Sequence, residues 1–160
     1  MKAMLKGAFA ALAAGLILAS GSGVWAMGST TSSPSATSSS GDADYQAGEL
    51  AAKGGRYDEA LKRLQKVVER DSKNADAWNY IGFSYRKLGK FPDALSAYEK
   101  ALAINPGHLG ANEYLGELYL ATGDMPKAEE RLARLDKLCQ GGCEEYRTLK
   151  SAVEAKKKGS

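Results

Sequence analysis

Apolar residues in the second part of the chain recur at steps of three and four and nowhere alternate. Trp78, Ile81, Gly82 and Tyr85 fall at i, i+3, i+4 and i+7, one face of a helix. Gly89 follows, free to take the positive φ that closes a helix. Pro92 then stands in the first turn of a second helix, where a missing N–H does little harm. Ala94, Leu95, Tyr98, Ala101 and Leu102 make its apolar face, and Asn105-Pro106-Gly107 stops it.

The pair repeats at a step of 34 residues. Gly82 has counterparts in Gly48 and Gly116, and Ala94 in Ala60 and Ala128. Ile81 matches Ala47 and Leu115, Tyr98 matches Leu64 and Leu132, and Ala101 matches Val67 and Leu135. The closing glycine has its analogues in Lys53-Gly54-Gly55 and Thr122-Gly123-Asp124, and Pro126 repeats Pro92. Contiguous units follow at 41–74, 75–108 and 109–142. The small residues at 82 and 94 permit close approach of two helices. The expected fold is all-α, a solenoid of three helix pairs plus a terminal helix.

The pattern resembles the tetratricopeptide repeat. The middle unit carries most of that signature in Trp78, Ile81, Gly82, Tyr85, Ala94, Tyr98, Ala101 and Pro106. The third unit has Asn112 in place of the tryptophan and Gln140 in place of the proline. In the first unit Asp44 and Ala51 stand at large-residue positions, which leaves its packing open. The resemblance covers residues 41–142 and implies a curved stack whose first helices line a concave groove for another protein or peptide. Carried over position by position, it points to Asp42, Tyr45, Glu49, Ala52 and Lys53, then Asp76, Asn79, Phe83, Arg86 and Lys87, then Gly110, Glu113, Glu117, Leu120 and Ala121. Tyr45, Glu49, Asn79, Phe83, Arg86, Lys87, Glu113 and Glu117 are the candidate partner-binding residues. Phe83 is read either as a partner anchor or as packing for a neighbouring helix. One groove type of the family grips a C-terminal carboxylate with Lys and Asn, where this chain has Tyr45 and Glu49. That clamp is absent here.

Beyond the repeats, Tyr146, Leu149 and Val153 form one apolar stripe on a helix that covers the end of the stack. Glu144 and Glu145 open it and Lys156 to Lys158 close it, as the helix dipole favours. Residues 143–160 are therefore a capping helix and basic tail. Cys139 and Cys143 flank Gln-Gly-Gly at the joint between last repeat and cap. They are expected to form a disulfide staple.

The first 26 residues read as a secretory signal: Lys2 and Lys6, an apolar run from Ala8 to Ala19, and Val24-Trp25-Ala26 before a cut after Ala26. The apolar run is short against the roughly 20 residues of a membrane span, so an uncleaved anchor is the alternative. Residues 27–40 hold ten Ser or Thr and no charge, a disordered linker. Export to the periplasm or beyond places the cysteines where they oxidise.

Charge adds little. The formal net charge is +3, and removing Lys2 and Lys6 leaves +1, too balanced to point to nucleic acid or a membrane surface. Two cysteines and one histidine supply little for metal or nucleophilic chemistry. His108 is expected in an exposed loop. The carboxylates Glu113 and Glu117 are four apart but lack an oxyanion donor or apolar pocket in the pattern. The expected function is therefore non-catalytic protein binding in the cell envelope, with no cofactor. The alternatives are a self-assembling scaffold, stacking through an uncovered first repeat, and an accessory subunit of an envelope enzyme complex.

Overall fold

The computed structural model describes residues 42–159, so the expected signal segment and linker lie outside the described residues. Seven helices follow one another there. They are α1 (Ala43–Lys53), α2 (Tyr57–Arg70), α3 (Ala75–Lys87), α4 (Phe91–Ile104), α5 (Leu109–Thr122), α6 (Met125–Cys139) and α7 (Glu144–Lys158). Consecutive helices pack pairwise, and α1, α3, α5 and α7 also touch one another in order. These four line one side of the stack.

The turn within each pair is set by a glycine. Gly55, Gly89 and Gly123 take φ of +77°, +74° and +83°. The first of these is Gly55, one residue later than the Gly54 that the tripeptide alignment centres on. Gly54 itself is an ordinary C-cap at φ −84°.

Loops between pairs are also repeated. Asn74 caps α3 by accepting from the Ala77 N–H at 2.9 Å. One period on, His108 caps α5, its Nδ1 accepting from the Ala111 N–H at 3.1 Å. Its Nε2 lies 3.0 Å from Asp76 Oδ1, and the side chain is only 12% exposed. The exposed-loop expectation for His108 is therefore wrong: the ring is covered, with Nδ1 capping α5 and Nε2 facing Asp76. Asn112 likewise explains itself. Trp78 Nε1 donates to the Ser72 carbonyl, and Asn112 Nδ2 donates to that of Pro106 at the equivalent place. The smaller side chain keeps the bond and is wholly buried.

Close approach decides the core. A Cβ on Gly82 would lie 2.6 Å from two ring carbons of Tyr98, which is fully buried. A Cβ on Gly48 would meet Leu64 at the same distance. The first unit is thus packed like the second, and Ala51 is completely covered. Asp44 there turns outward to Arg63 and Arg70, each at 3.1 Å. The third glycine breaks the pattern. The side chain nearest Gly116 is Leu149 of α7, from outside its own unit.

That contact comes from a cap seated deep against α5. Leu149 and Val153 are buried, with Tyr146 packed beside them. Lys157 Nζ sits 2.6 Å from Glu129 Oε1, an exposed pair that contributes little. Cys139 and Cys143 are bonded, with Cα atoms 5.7 Å apart. Gln140, in the place of the family proline, takes φ 52° and ends α6. Chain-entropy reasoning gives so small a loop about 2 kcal/mol. Reduction with dithiothreitol is expected to raise amide exchange in α7 before any other helix, as hydrogen-exchange mass spectrometry would show. Uniform exchange changes across the stack would contradict a local staple.

Candidate functional site

The groove is built by the faces that α1, α3, α5 and α7 leave on the inner side. Its centre is aromatic. Phe83 lies against Tyr114 with ring centroids 5.0 Å apart and planes tilted by 46°, and meets Tyr57 edge-on at 6.1 Å. Tyr45 and Tyr80 form a similar edge pair at 6.3 Å. Phe83 is half-buried, so its two readings merge: it packs on neighbours and keeps part of its ring open to the groove.

Cations lie on these rings. The Arg86 guanidinium carbon is 5.6 Å from the centroids of both Phe83 and Tyr114. Arg86 also reaches Glu117 Oε2 at 2.5 Å, and both are mostly covered. Its Nε donates to the Tyr98 hydroxyl at 3.4 Å, joining groove to core. Lys87 Nζ is 5.3 Å from the Phe83 centroid and exposed. Lys53 pairs with Glu49 at 2.6 Å, and Glu49 accepts from the Tyr80 hydroxyl at 2.9 Å. Burial pushes the phenols of Tyr45, Tyr80 and Tyr98 up, so all three stay protonated donors.

Two cavities divide the groove. One, of about 520 Å³, is lined by Arg86, Lys87 and Lys156 around Leu120, Ala121, Ala152 and Ala155, with Glu117 answering Arg86 and leaving the two lysines in excess. The other, of about 420 Å³, has Glu49, Asp76, Glu113 and Glu145 around Tyr45, Tyr80 and Tyr114, with Asn79 on its wall. The charges are therefore separated into a basic half with an aliphatic floor and an acidic half with aromatic walls.

Not every candidate residue is presented. Tyr45, Asn79 and Glu113 are buried at 7%, 4% and 8% exposure. The helical register puts them toward the groove, but packing between neighbouring helices covers them. Asn79 Oδ1 has no hydrogen-bond partner. Glu113 is a groove carboxylate largely closed to solvent. Burial first, then the charges of Glu117 and Glu145, pushes its carboxyl up to about 7. The unfolded chain gives up that proton near 4.5, so stability falls as pH rises from 4.5 to 7 and then levels off. Glu113→Gln is expected to flatten this slope and to stabilise the protein at pH 8 by up to about 3 kcal/mol. Urea titrations at pH 4.5 and pH 8 read it directly; an unchanged slope in the variant would assign the dependence elsewhere.

Tyr80, Tyr114 and the α7 residues also line the groove, outside the family's groove positions. Each carried a signal. Tyr80 and Tyr114 are themselves 34 apart. A further step of 34 from Leu115 lands on Leu149, and from Ala121 on Ala155, so α7 continues the series of first helices.

Comparison with known proteins agrees with this geometry. Family models described as tetratricopeptide repeat match residues 45–107 and 85–153. The chain belongs to the tetratricopeptide repeat family. Its fold is that of solved tetratricopeptide solenoids. PcrH, in complex with the chaperone binding region of PopD, is 20% identical, with a TM-score of 0.64 over 72% of this chain and 90% of that one. The TPR2B domain of yeast Sti1, in a complex with pHsp70, is 16% identical, with a TM-score of 0.65 over 73% and 95%. The first TPR of Spaghetti (RPAP3), bound to the HSP90 peptide SRMEEVD, is 25% identical, with a TM-score of 0.61 over 69% and 89%. No curated protein matches the chain significantly. A tetratricopeptide fold is in general a protein-interaction scaffold, and several of these neighbours hold peptides.

Proposed function

We propose that this protein is a non-catalytic interaction module of the periplasm or cell envelope that holds a partner peptide or helix in its concave groove. The observation that carries the reading is the groove itself: half-exposed aromatic rings at its centre, with basic and acidic cavities on either side. A polypeptide offers what such a surface needs, an apolar anchor and charges of both signs along one strand or helix face. Peptide-bound relatives of the same fold support it. The sequence of residues 1–26 and the Cys139–Cys143 bond support an oxidising, exported setting. No helix among the described residues is long and apolar enough to cross a membrane.

End-to-end stacking has one feature in its favour, Leu50, which is 66% exposed on α1. Elsewhere, however, α1 and α2 present charge, with Arg70 held 2.8 Å from Asp42 at the start of α1. A lone leucine in such a rim does not make an association surface.

Random peptides selected on the full chain provide the test. Lys87→Glu with Lys156→Glu reverses the basic cavity without touching the core, and is expected to weaken the selected peptides at least tenfold. Lys62→Glu on the exposed face of α2 is the control and should leave them unchanged. Loss with the control variant and not with the groove variant would place binding elsewhere. N-terminal sequencing of protein from the native host should begin at Met27; a chain that retains residues 1–26 would remove the cleaved signal.

A further inference from the structure

We infer that the acidic half of the groove is a subsite for a guanidinium, the side chain of an arginine in the bound polypeptide. This rests on the groove being the peptide site, and it names a residue the peptide must carry. The cavity is lined by four carboxylates on α1, α3, α5 and α7: Glu49, Asp76, Glu113 and Glu145. Lys53 and His108 answer the first two. Of the other two, Glu113 is raised by burial first and then by the charges of Glu117 and Glu145.

A cluster of acids alone would be only a solvated patch. The second observation is Asn79. It lines the same cavity, is 4% exposed, and its Oδ1 has no donor. A buried carbonyl oxygen without a partner costs about 1–3 kcal/mol. On the wall of an open cavity, a ligand can supply the missing N–H. The oxygen is an acceptor, as are the carboxylates, so the missing ligand is a donor and a cation.

The walls select the kind of cation. Among the described residues no three His, Cys, Asp or Glu side chains come together as a metal-binding group. The rings of Tyr45, Tyr80 and Tyr114 form the sides of the cavity. A flat, weakly hydrated guanidinium stacks on such rings, and its five N–H groups can meet Asn79 and Glu113 together. A compact ammonium offers three donors and no plane. Arginine in this half also leaves the basic half to an acidic or C-terminal part of the same peptide, which fixes the direction of the chain in the groove.

The test is an NMR titration of the full chain with Nα-acetyl-arginine amide, with Nα-acetyl-citrulline amide as the neutral isostere. The arginine compound is expected to shift the Asn79 side-chain amide and the Gly110 backbone amide saturably, and citrulline to leave them in place. Glu113→Gln and Glu145→Lys should each weaken the arginine response at least fivefold; the second sits in the first turn of α7 and spares the core. Equal responses to both compounds, no saturable response, or full binding by Glu145→Lys would overturn the subsite. If selected peptides lose affinity with the Lys87/Lys156 reversal while arginine gives no response at Asn79, the groove stands and the subsite falls. If arginine binds as described but peptides ignore the groove reversal, the subsite stands without the groove reading beneath it.

Discussion

Tyr98→Ala is expected to destabilise the protein by about 4 kcal/mol, the largest effect of any single truncation in the stack. Tyr98 is wholly buried, and it lies between the two helices of the middle unit, where Gly82 lets the backbone of α3 come against its ring. Truncation would leave a cavity that rigid flanking helices cannot close. The reverse change, Gly82→Ala, puts a methyl 2.6 Å from two ring carbons. Overpacking of that kind costs about 2 kcal/mol even after the gain in helix propensity. The two changes touch the same space, so the double variant should be milder than the two penalties added. Chemical denaturation of the two single variants and the double reads the coupling. Strict additivity would mean that the glycine is not there for the ring.

The second large effect concerns Arg86. Arg86→Ala is expected to cost about 3 kcal/mol, because it leaves Glu117 partly buried without its cation and uncovers Phe83 and Tyr114. Glu113, already pushed up by burial and then by its acidic neighbours, would also lose the lowering charge of Arg86. Arg86→Met with Glu117→Leu removes both charges and fills the space, and should recover most of the loss. Recovery by the double variant, read in urea melts, separates a desolvated pair from a packing role; equal loss in both variants would assign the effect to packing. Charge reversal at Arg86 is for the same reason a poor probe of binding, whereas Lys87 is exposed and reports on the groove alone.

The helix pairs were legible because their period is long and their punctuation physical. Gly82 with Tyr98, Gly89 at positive φ and Pro92 in a first turn each have a steric cause that the sequence states outright. The cap was legible as a helix through Leu149 and Val153. Its depth was not, because which side chain faces Gly116 depends on how far α7 slides along α5. The site was legible in register and not in depth. Counting along a helix says that Asn79 and Glu113 point inward. It does not say that Tyr80 and Tyr114 flank them in one cavity. His108 was misread for a related reason: capping is a matter of backbone geometry, and histidine seldom advertises it.

Site-specific photo-cross-linking in the native host tests the central claim most directly. A benzophenone side chain at Ala121, on the floor of the basic cavity, is expected to capture one partner polypeptide, and the same group at Glu99 on the exposed face of α4 to capture none. A partner captured from Glu99 and not from Ala121 would contradict the account.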